Sequence, residues 1–314
     1  MGRSMTRGFV TIATGKREYY EMARNLLVSY RFHTRNPLPF AIICDRRNAL
    51  TRDFDEVVTI DSASCSYSDK IRILDLSPFD ESIFVDSDCL AYADLDGLWD
   101  LFKDSPPLGL LGIVLPLDSE KSWLKVENTG IFKDNLENFI ICQGGMYYFR
   151  RDIPDGFKET VDYIAGHYTG FKFSHSRITP CDETVFTLAC AVHRYYPSHD
   201  WSRVFCYYPM VSDFKGLDIR TGTLEYSFLW ETGTGNPDNG KFLLHWGTEH
   251  TRGWLYVREV ERLFSSVKGR PVNPFRLACR LAVSYSRAIV SAIRRIIKRT
   301  MPLGMKTFLY KLIH

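Results

Sequence analysis

The sequence predicts an α/β fold, a mostly parallel, doubly wound sheet with helices on both faces, followed by a basic amphipathic helical tail. Three observations predict it. Short apolar runs of strand character alternate with segments whose apolar residues recur at helical spacing, the pattern of βαβ units. One run, Ile83-Phe84-Val85, ends in Asp86-Ser87-Asp88, two carboxylates delivered by the carboxyl end of a buried strand. Residues 268–314 carry 11 Lys/Arg and no Asp/Glu.

Phe9-Val10-Thr11-Ile12-Ala13 reads as the first strand, Thr14-Gly15 as a turn, and Tyr20, Ala23, Leu27 and Tyr30 then follow helical spacing. A second strand covers Phe40-Ala41-Ile42-Ile43-Cys44 and a third lies around Val57-Val58-Thr59-Ile60. A short helix at residues 70–76 leads to the strand that ends at Asp86, and residues 94–102 are again apolar at helical spacing. Crossovers between such strands are right-handed. In the more irregular second half, residues 109–115 read as a strand. The glycines of Gln143-Gly144-Gly145 form a turn feeding another, which runs to Phe149. Helices are expected at 155–167 and 182–193, a polar loop spans 232–240, and the apolar run Phe242-Leu243-Leu244 ends at His245. The expected division is a domain over 1–267, with a nucleotide-binding half to about 105 and an acceptor-side half over 106–267, then a tail over 268–314.

At 314 residues and 45% hydrophobic, the chain can bury a full core. The net charge of +3 conceals an acidic body: outside the tail, 29 basic residues face 37 acidic ones. The eight cysteines form no C-x-x-C pair, and Cys44, Cys142 and Cys190 sit in apolar runs, the usage of a reduced, intracellular protein. No signal peptide is evident, and no apolar run approaches the ~18–20 residues needed to span a bilayer. Neither G-x-G-x-x-G nor G-x-x-x-x-G-K-[ST] occurs, which argues against a dinucleotide-binding domain and a P-loop. Phosphates must then be held another way, and a metal is the natural means.

Three Asp-x-Asp triplets occur where about two are expected by chance, so context decides. Asp53 and Asp55 lie in an arginine-rich connection, and Asp94 and Asp96 suit a helix start. Asp86 and Asp88 alone end a strand-like run. Residues i and i+2 of an extended segment point the same way, so both carboxylates can reach one divalent cation. His245, at the end of another apolar run, is either a third ligand or a hydrogen-bonded structural histidine; as a ligand it favours manganese over magnesium. Gly144 and Gly145 either make a tight turn or let backbone approach a sugar closely. Asp182-Glu183 either favour a helix N-terminus or face the sugar. Tyr19 or Tyr20 can stack on a base, and Lys70 can meet a phosphate.

Together these residues resemble the GT-A glycosyltransferases, most closely glycosyltransferase family 8, the type of glycogenin and the bacterial lipopolysaccharide galactosyl- and glucosyltransferases. The resemblance covers roughly residues 8–256, and its most specific stretch runs from Lys70-Ile71-Arg72-Ile73-Leu74-Asp75-Leu76-Ser77-Pro78-Phe79 through Asp86-Ser87-Asp88 to Leu95-Asp96-Gly97-Leu98-Trp99. It implies that Asp86, Ser87 and Asp88 bind metal and donor, that Lys70 lies near the donor, and that Ala13, Thr14 and Tyr20 begin the nucleotide site. It implies donor contact for Gln143-Gly144-Gly145, a donor-sugar role for Asp182 and Glu183, and metal ligation by His245. Gln143 stands where the family has Asn, and Glu183 where it has Gln. Gly follows His245 at +2 rather than +3, without the usual Lys-Pro-Trp.

The expected activity is metal-dependent transfer of a hexose from a nucleotide-sugar, a UDP-sugar first among them, to a glycan or lipid-linked acceptor with Mn2+ or Mg2+. A Glu at 183 leaves retention and inversion both open. A catalytically silent binding relative is the alternative, and a sugar-phosphate nucleotidyltransferase ranks last because its glycine-rich first loop is missing. In the tail, Arg276, Arg280, Arg287, Arg294 and Lys298 fall on one helical stripe opposite Phe275, Ala282, Ile289, Ile293 and Ile296, with a break near Pro302 and then Lys306, Phe308, Tyr310 and Lys311. Such a helix suits an anionic membrane surface better than nucleic acid or simple packing. The expected location is cytoplasmic, peripheral on a membrane.

Overall fold

The computed structural model describes residues 6–174, 179–228 and 242–300. The polar loop at 232–240 and the tail beyond residue 300, including Pro302, Lys306, Phe308, Tyr310 and Lys311, lie outside the described residues. In chain order the elements are β1 (Arg7–Ala13), α1 (Arg17–His33), β2 (Phe40–Cys44), β3 (Glu56–Thr59), α2 (Ile73–Leu76), β4 (Glu81–Val85), β5 (Cys89–Ala91), α3 (Leu98–Phe102), β6 (Leu108–Pro116) and β7 (Asn138–Arg150). Then come α4 (Asp155–Gly166), α5 (Asp182–Val192), β8 (Phe205–Tyr207), β9 (Val211–Asp218), β10 (Thr223–Phe228), β11 (Leu243–His245), α6 (Trp254–Val267) and α7 (Pro274–Thr300).

Chain contacts divide these into two compact units, Met1–His245 and Trp246–His314. The first is built on a six-stranded sheet ordered β3-β2-β1-β4-β7-β6. Its first four strands are parallel, while β7 runs antiparallel to β4 and to β6. The sheet is therefore mixed and mostly parallel, as expected. Both of its faces are covered. Phe9 and Ala13 of β1 join a cluster with Tyr20, Ala23, Leu26, Leu27 and Tyr30 of α1 and Leu98 and Phe102 of α3. Val10 and Ile12 face the other way and join Ile73 and Leu74 of α2, Phe157 and Val161 of α4, and Val185 and Phe186 of α5. Burial on both faces is why β1, β2 and β4 are continuous apolar runs rather than alternating ones. α1 carries Glu18 in its first turn and Arg31 and His33 in its last, each complementing the helix dipole.

Two details differ from the sequence expectation. Gln143-Gly144-Gly145 lies within β7 rather than in a turn before it, because residues 138–142 already pair with β6. β11 falls in the apolar run that ends at His245, but its partners β5 and β8 in a three-stranded sheet, each three residues long, and the β9-β10 hairpin have no counterpart in the sequence expectation.

In the second unit, α6 buries Tyr256, Val257, Val260, Leu263 and Phe264. Its buried Glu259 pairs with Arg258 and Arg262 at 3.0 and 2.9 Å, and its buried Glu261 with Arg276 and Arg280 of α7 at 3.5 and 3.0 Å. Two residues of the expected basic stripe, Arg276 and Arg280, thus pair with α6, while the side chains of Ile293, Arg294, Ile296 and Lys298 lie outside those described. Phe275, Val283, Tyr285, Ile289 and Val290 are exposed, Phe275 by 77%.

Gly112 marks an irregularity in β6, where a Cβ would lie 2.2 Å from the Ile141 carbonyl oxygen. Gly112→Ala should therefore cost about 1–3 kcal/mol in urea unfolding, the usual range for overpacking. Gly156→Ala, in α4 with nothing within 4 Å of the added methyl, should be neutral or stabilising. Equal midpoints for the two variants would refute this account of β6.

Candidate metal and donor site

The parallel strands end at one edge of the sheet. Ala13, Cys44 and Val85 close β1, β2 and β4, and the residues that follow are Thr14-Gly15, Asp45-Arg46 and Asp86-Ser87-Asp88. β7 runs the other way with Met146 opposite Val85, which brings Gly144 and Gly145 to the same edge. The Asp86 N–H donates to the Gly145 carbonyl at 2.9 Å. Neighbouring connections leave β1 and β4 in opposite directions across the sheet, the switch point at which α/β sheets hold ligands.

Lys70 lies in a short 3-10 helix, Tyr67–Arg72, sixteen positions before Asp86 and donates to Asp86 Oδ2 at 2.6 Å. Its Nζ is also 3.5 Å from Asp182 Oδ2. Burial alone would lower the Lys70 pKa, but Asp182 and Asp86 outweigh it and hold the ammonium well above the ordinary lysine value. Burial raises the Asp86 pKa, and Lys70 opposes that rise while Asp88 adds to it.

His245 closes β11, which pairs antiparallel with β5 so that His245 stands opposite Cys89. Its Nε2 lies 3.1 Å from Asp88 Oδ1 and 3.9 Å from Asp86 Oδ2. Burial lowers the His245 pKa, yet Asp88 and Asp86 carry it above the ordinary histidine value. On its other side the ring of Tyr207 sits 5.1 Å away, centroid to centroid. Asp88, Cys89 and His245 are all buried and offer ligand atoms within 4.8 Å of one another. Asp86, Asp88 and His245 together are an oxygen and nitrogen donor set that fits a divalent ion, with Lys70 at its flank.

Asp182 and Glu183 open α5, but neither side chain is spent on capping. Asp182 Oδ2 accepts from the Tyr147 hydroxyl at 2.8 Å, and Glu183 Oε1 accepts from the Gly144 N–H at 2.7 Å. Burial first, and then the Asp182 charge, raises the Glu183 pKa. A Cβ on Gly144 would meet Glu183 Cγ at 2.6 Å, so glycine there is a requirement of this contact. Gln143 is half-buried beside it.

At the β1 end, the Thr14 hydroxyl donates to the buried Asp69 at 2.9 Å, and Asp69 also accepts the N–H groups of Ser64 and Cys65 at 2.8 Å each. Gly15 donates its N–H to Asp45 at 2.9 Å, and the Tyr20 hydroxyl donates to the same oxygen. Ala13 and the Tyr20 ring are buried in the apolar cluster under α1, so Tyr20 reaches this edge through its hydroxyl. Tyr19 lies on the rim, with Lys16 Nζ 5.8 Å from its ring centre.

Four residues of this edge went unread in the sequence: Asp45, Asp69, Cys89 and Tyr147. Asp45 carried a usable signal, since it ends the apolar run of β2 as Asp86 ends that of β4. The other three are brought in by pairing and packing alone.

No protein-family profile matches the chain, and no curated protein matches it by sequence. Solved structures similar to it include the bifunctional glycosyltransferase WbbM in its apo form, at 12% identity over 85% of this chain and 51% of that one, with a TM-score of 0.48. The chain thus spans about half the length of WbbM. The galactosyltransferase LgtC in complex with donor and acceptor sugar analogs matches at 12% identity over 87% of this chain and 100% of that one, TM-score 0.48. A glutamine-to-glutamate active-site variant of LgtC matches at 10% identity over the same shares, TM-score 0.49. These matches to GT-A glycosyltransferases run across most of the chain. What this site does chemically rests on its own residues.

Because folding raises the His245 pKa, protonation stabilises the metal-free protein. That contribution is fully present below about pH 6.5 and is lost as pH rises through the raised value. With chelator present, His245→Asn should destabilise most near pH 6 and progressively less toward pH 9 in urea titrations. A difference that stays flat with pH would refute the Asp88–His245 ion pair.

Proposed function

We propose that this chain is a metal-dependent glycosyltransferase that moves a hexose from a nucleotide-sugar, by preference a UDP-sugar, to a glycan or lipid-linked acceptor. The observation that supports this reading is the convergence of Asp86, Asp88 and His245 beside Lys70 and the Asp182-Glu183 pair, at the strand ends of a mostly parallel sheet. Asp86, Asp88 and His245 would hold the cation, manganese before magnesium because one donor is an imidazole. Bound there, the cation supplies neutralisation of the charge that develops on the departing diphosphate.

The chain's own groups account for the rest. Lys70, held between Asp86 and Asp182, is placed to meet a donor phosphate while remaining fully charged. Asp182 and Glu183 position the donor sugar: Asp182 is anchored by Tyr147, Glu183 by the Gly144 N–H, and the absent Cβ at Gly144 admits the contact. Ala13, Thr14 and Tyr20 at the β1 edge, with Asp45 and Asp69 behind them, would hold the nucleoside. Ser87, Gln143 and Gly145 complete the donor wall through their backbone positions.

A thermal-shift screen with UDP, GDP, CDP and UDP-sugars, each with and without manganese, tests this directly. A ligand that binds only the native state raises the midpoint by mass action. The expected result is a UDP shift that requires manganese, with a folded Asp88→Asn variant losing both that shift and UDP-sugar hydrolysis. No shift with any nucleotide, together with no hydrolysis, would leave a catalytically silent binder instead.

The catalytic part under this reading is residues 1–267, and residues 268–314 hold the protein on the cytoplasmic face of an anionic membrane. No helix among the described residues is long and apolar enough to cross a membrane. What supports a surface attachment is the exposed apolar side of α7, including Phe275, Ile289 and Val290, on a helix with no acidic residue. Truncation before α7 would strip Glu261 of Arg276 and Arg280, so point changes are the cleaner test. Phe275→Glu with Ile289→Glu should lower binding to phosphatidylserine-containing vesicles at least tenfold at an unchanged thermal midpoint. Unchanged vesicle binding would rule the attachment out.

A further inference from the structure

Cys89 has no role in the site as described so far, yet it is the residue that departs most from an oxygen-rich cation site. β5 and β11 are antiparallel neighbours with Cys89 directly opposite His245, and opposed residues of such a pair project to the same side. Asp88 is its chain neighbour. The thiol, the imidazole and the Asp88 carboxylate bring one ligand atom each within 4.8 Å of the others, and all three residues are buried. Asp86 Oδ2, 3.9 Å from His245 Nε2, stands by as a fourth donor.

We propose that Cys89 is a metal ligand, and that with Asp88 and His245 it gives this site a second mode that takes zinc in competition with manganese. Thiolate and imidazole donors select zinc, whereas carboxylate and water suit manganese and magnesium. Zinc bonds of about 2.3 Å to sulfur and about 2.0–2.1 Å to nitrogen require the ligand atoms to draw together by roughly an ångström from their present spread. A tetrahedral ion held by Asp86, Asp88, Cys89 and His245 has no position left for a diphosphate oxygen, so zinc would exclude the donor rather than serve it. On binding, the Cys89 S–H bond breaks, its sulfur lone pair bonds the metal and the proton leaves to solvent. The inference shares Asp88 and His245 with the proposed donor site but requires no sugar chemistry, so the two can fail separately.

The test uses cadmium as a spectroscopic stand-in for zinc, in a full-length background in which the exposed Cys65 and Cys279 are changed to serine. Titration should give the ultraviolet charge-transfer band of a cadmium–thiolate bond at one equivalent. Cys89→Val should abolish that band and weaken zinc binding at least tenfold, while manganese binding, followed by electron paramagnetic resonance, stays within about twofold. Valine suits the apolar cluster under α1 in which Cys89 lies, and Cys89→Ser serves if that variant fails to fold. His245→Asn should weaken both metals. No band in the parent protein, or an undiminished band in Cys89→Val, would overturn the proposal. A cadmium band with no manganese binding would support Cys89 as a ligand, overturn the competition with manganese, and count against the donor-site reading.

Discussion

Half-buried Asp86 and buried Asp88 at the end of β4 and buried Asp182 at the start of α5 gather around the Lys70 ammonium, and that ammonium sets what the site can be. Lys70 lies between Asp86 and Asp182, 2.6 and 3.5 Å from them, on a turn of helix far away in sequence. Desolvated carboxylates packed together favour their protonated forms, and burial raises Asp86 and Glu183 even with Lys70 opposing it. His245 supplies partial relief by holding its own proton against burial. The edge as a whole remains rich in negative charge, a setting that suits a cation.

The sheet topology is what makes the arrangement possible. Parallel β1, β2 and β4 bring three polar strand ends to one side, and an antiparallel β7 brings two glycines to meet them. Backbone contact between Asp86 and Gly145 then ties the Asp86-Ser87-Asp88 turn to the strand whose Tyr147 anchors Asp182. Each carboxylate is oriented by a donor on a different element, so the site is held by the sheet rather than by a single loop.

Much of this was legible in residue order. A short β-type run such as Ile83-Phe84-Val85, set between polar segments, reads as a strand buried on both faces, and the two aspartates that follow then emerge at its carboxyl end. The Tyr20, Ala23, Leu27 and Tyr30 spacing marked α1 for the same reason. By contrast, β5 and β8 were invisible, because three residues carry no period and because β11 pairs with β5 across more than a hundred positions of chain. Asp182 and Glu183 could be read as helix-end acids until Tyr147 and Gly144 were seen to claim them. Gln143-Gly144-Gly145 looked like a turn because glycine punctuates turns far more often than it lies inside a strand.

The sequence by itself determined the alternation of strands and helices, the acidic body with its basic helix, and the identity of the paired aspartates, since these depend on local period and composition. Only the tertiary structure decided which distant side chains share the site with them. Lys70 and His245 are named through a resemblance, but their contacts with the aspartates, and the presence of Asp69 and Tyr147, come from sheet register and crossover paths, long-range consequences of burying two apolar faces at once that no window of neighbouring residues records.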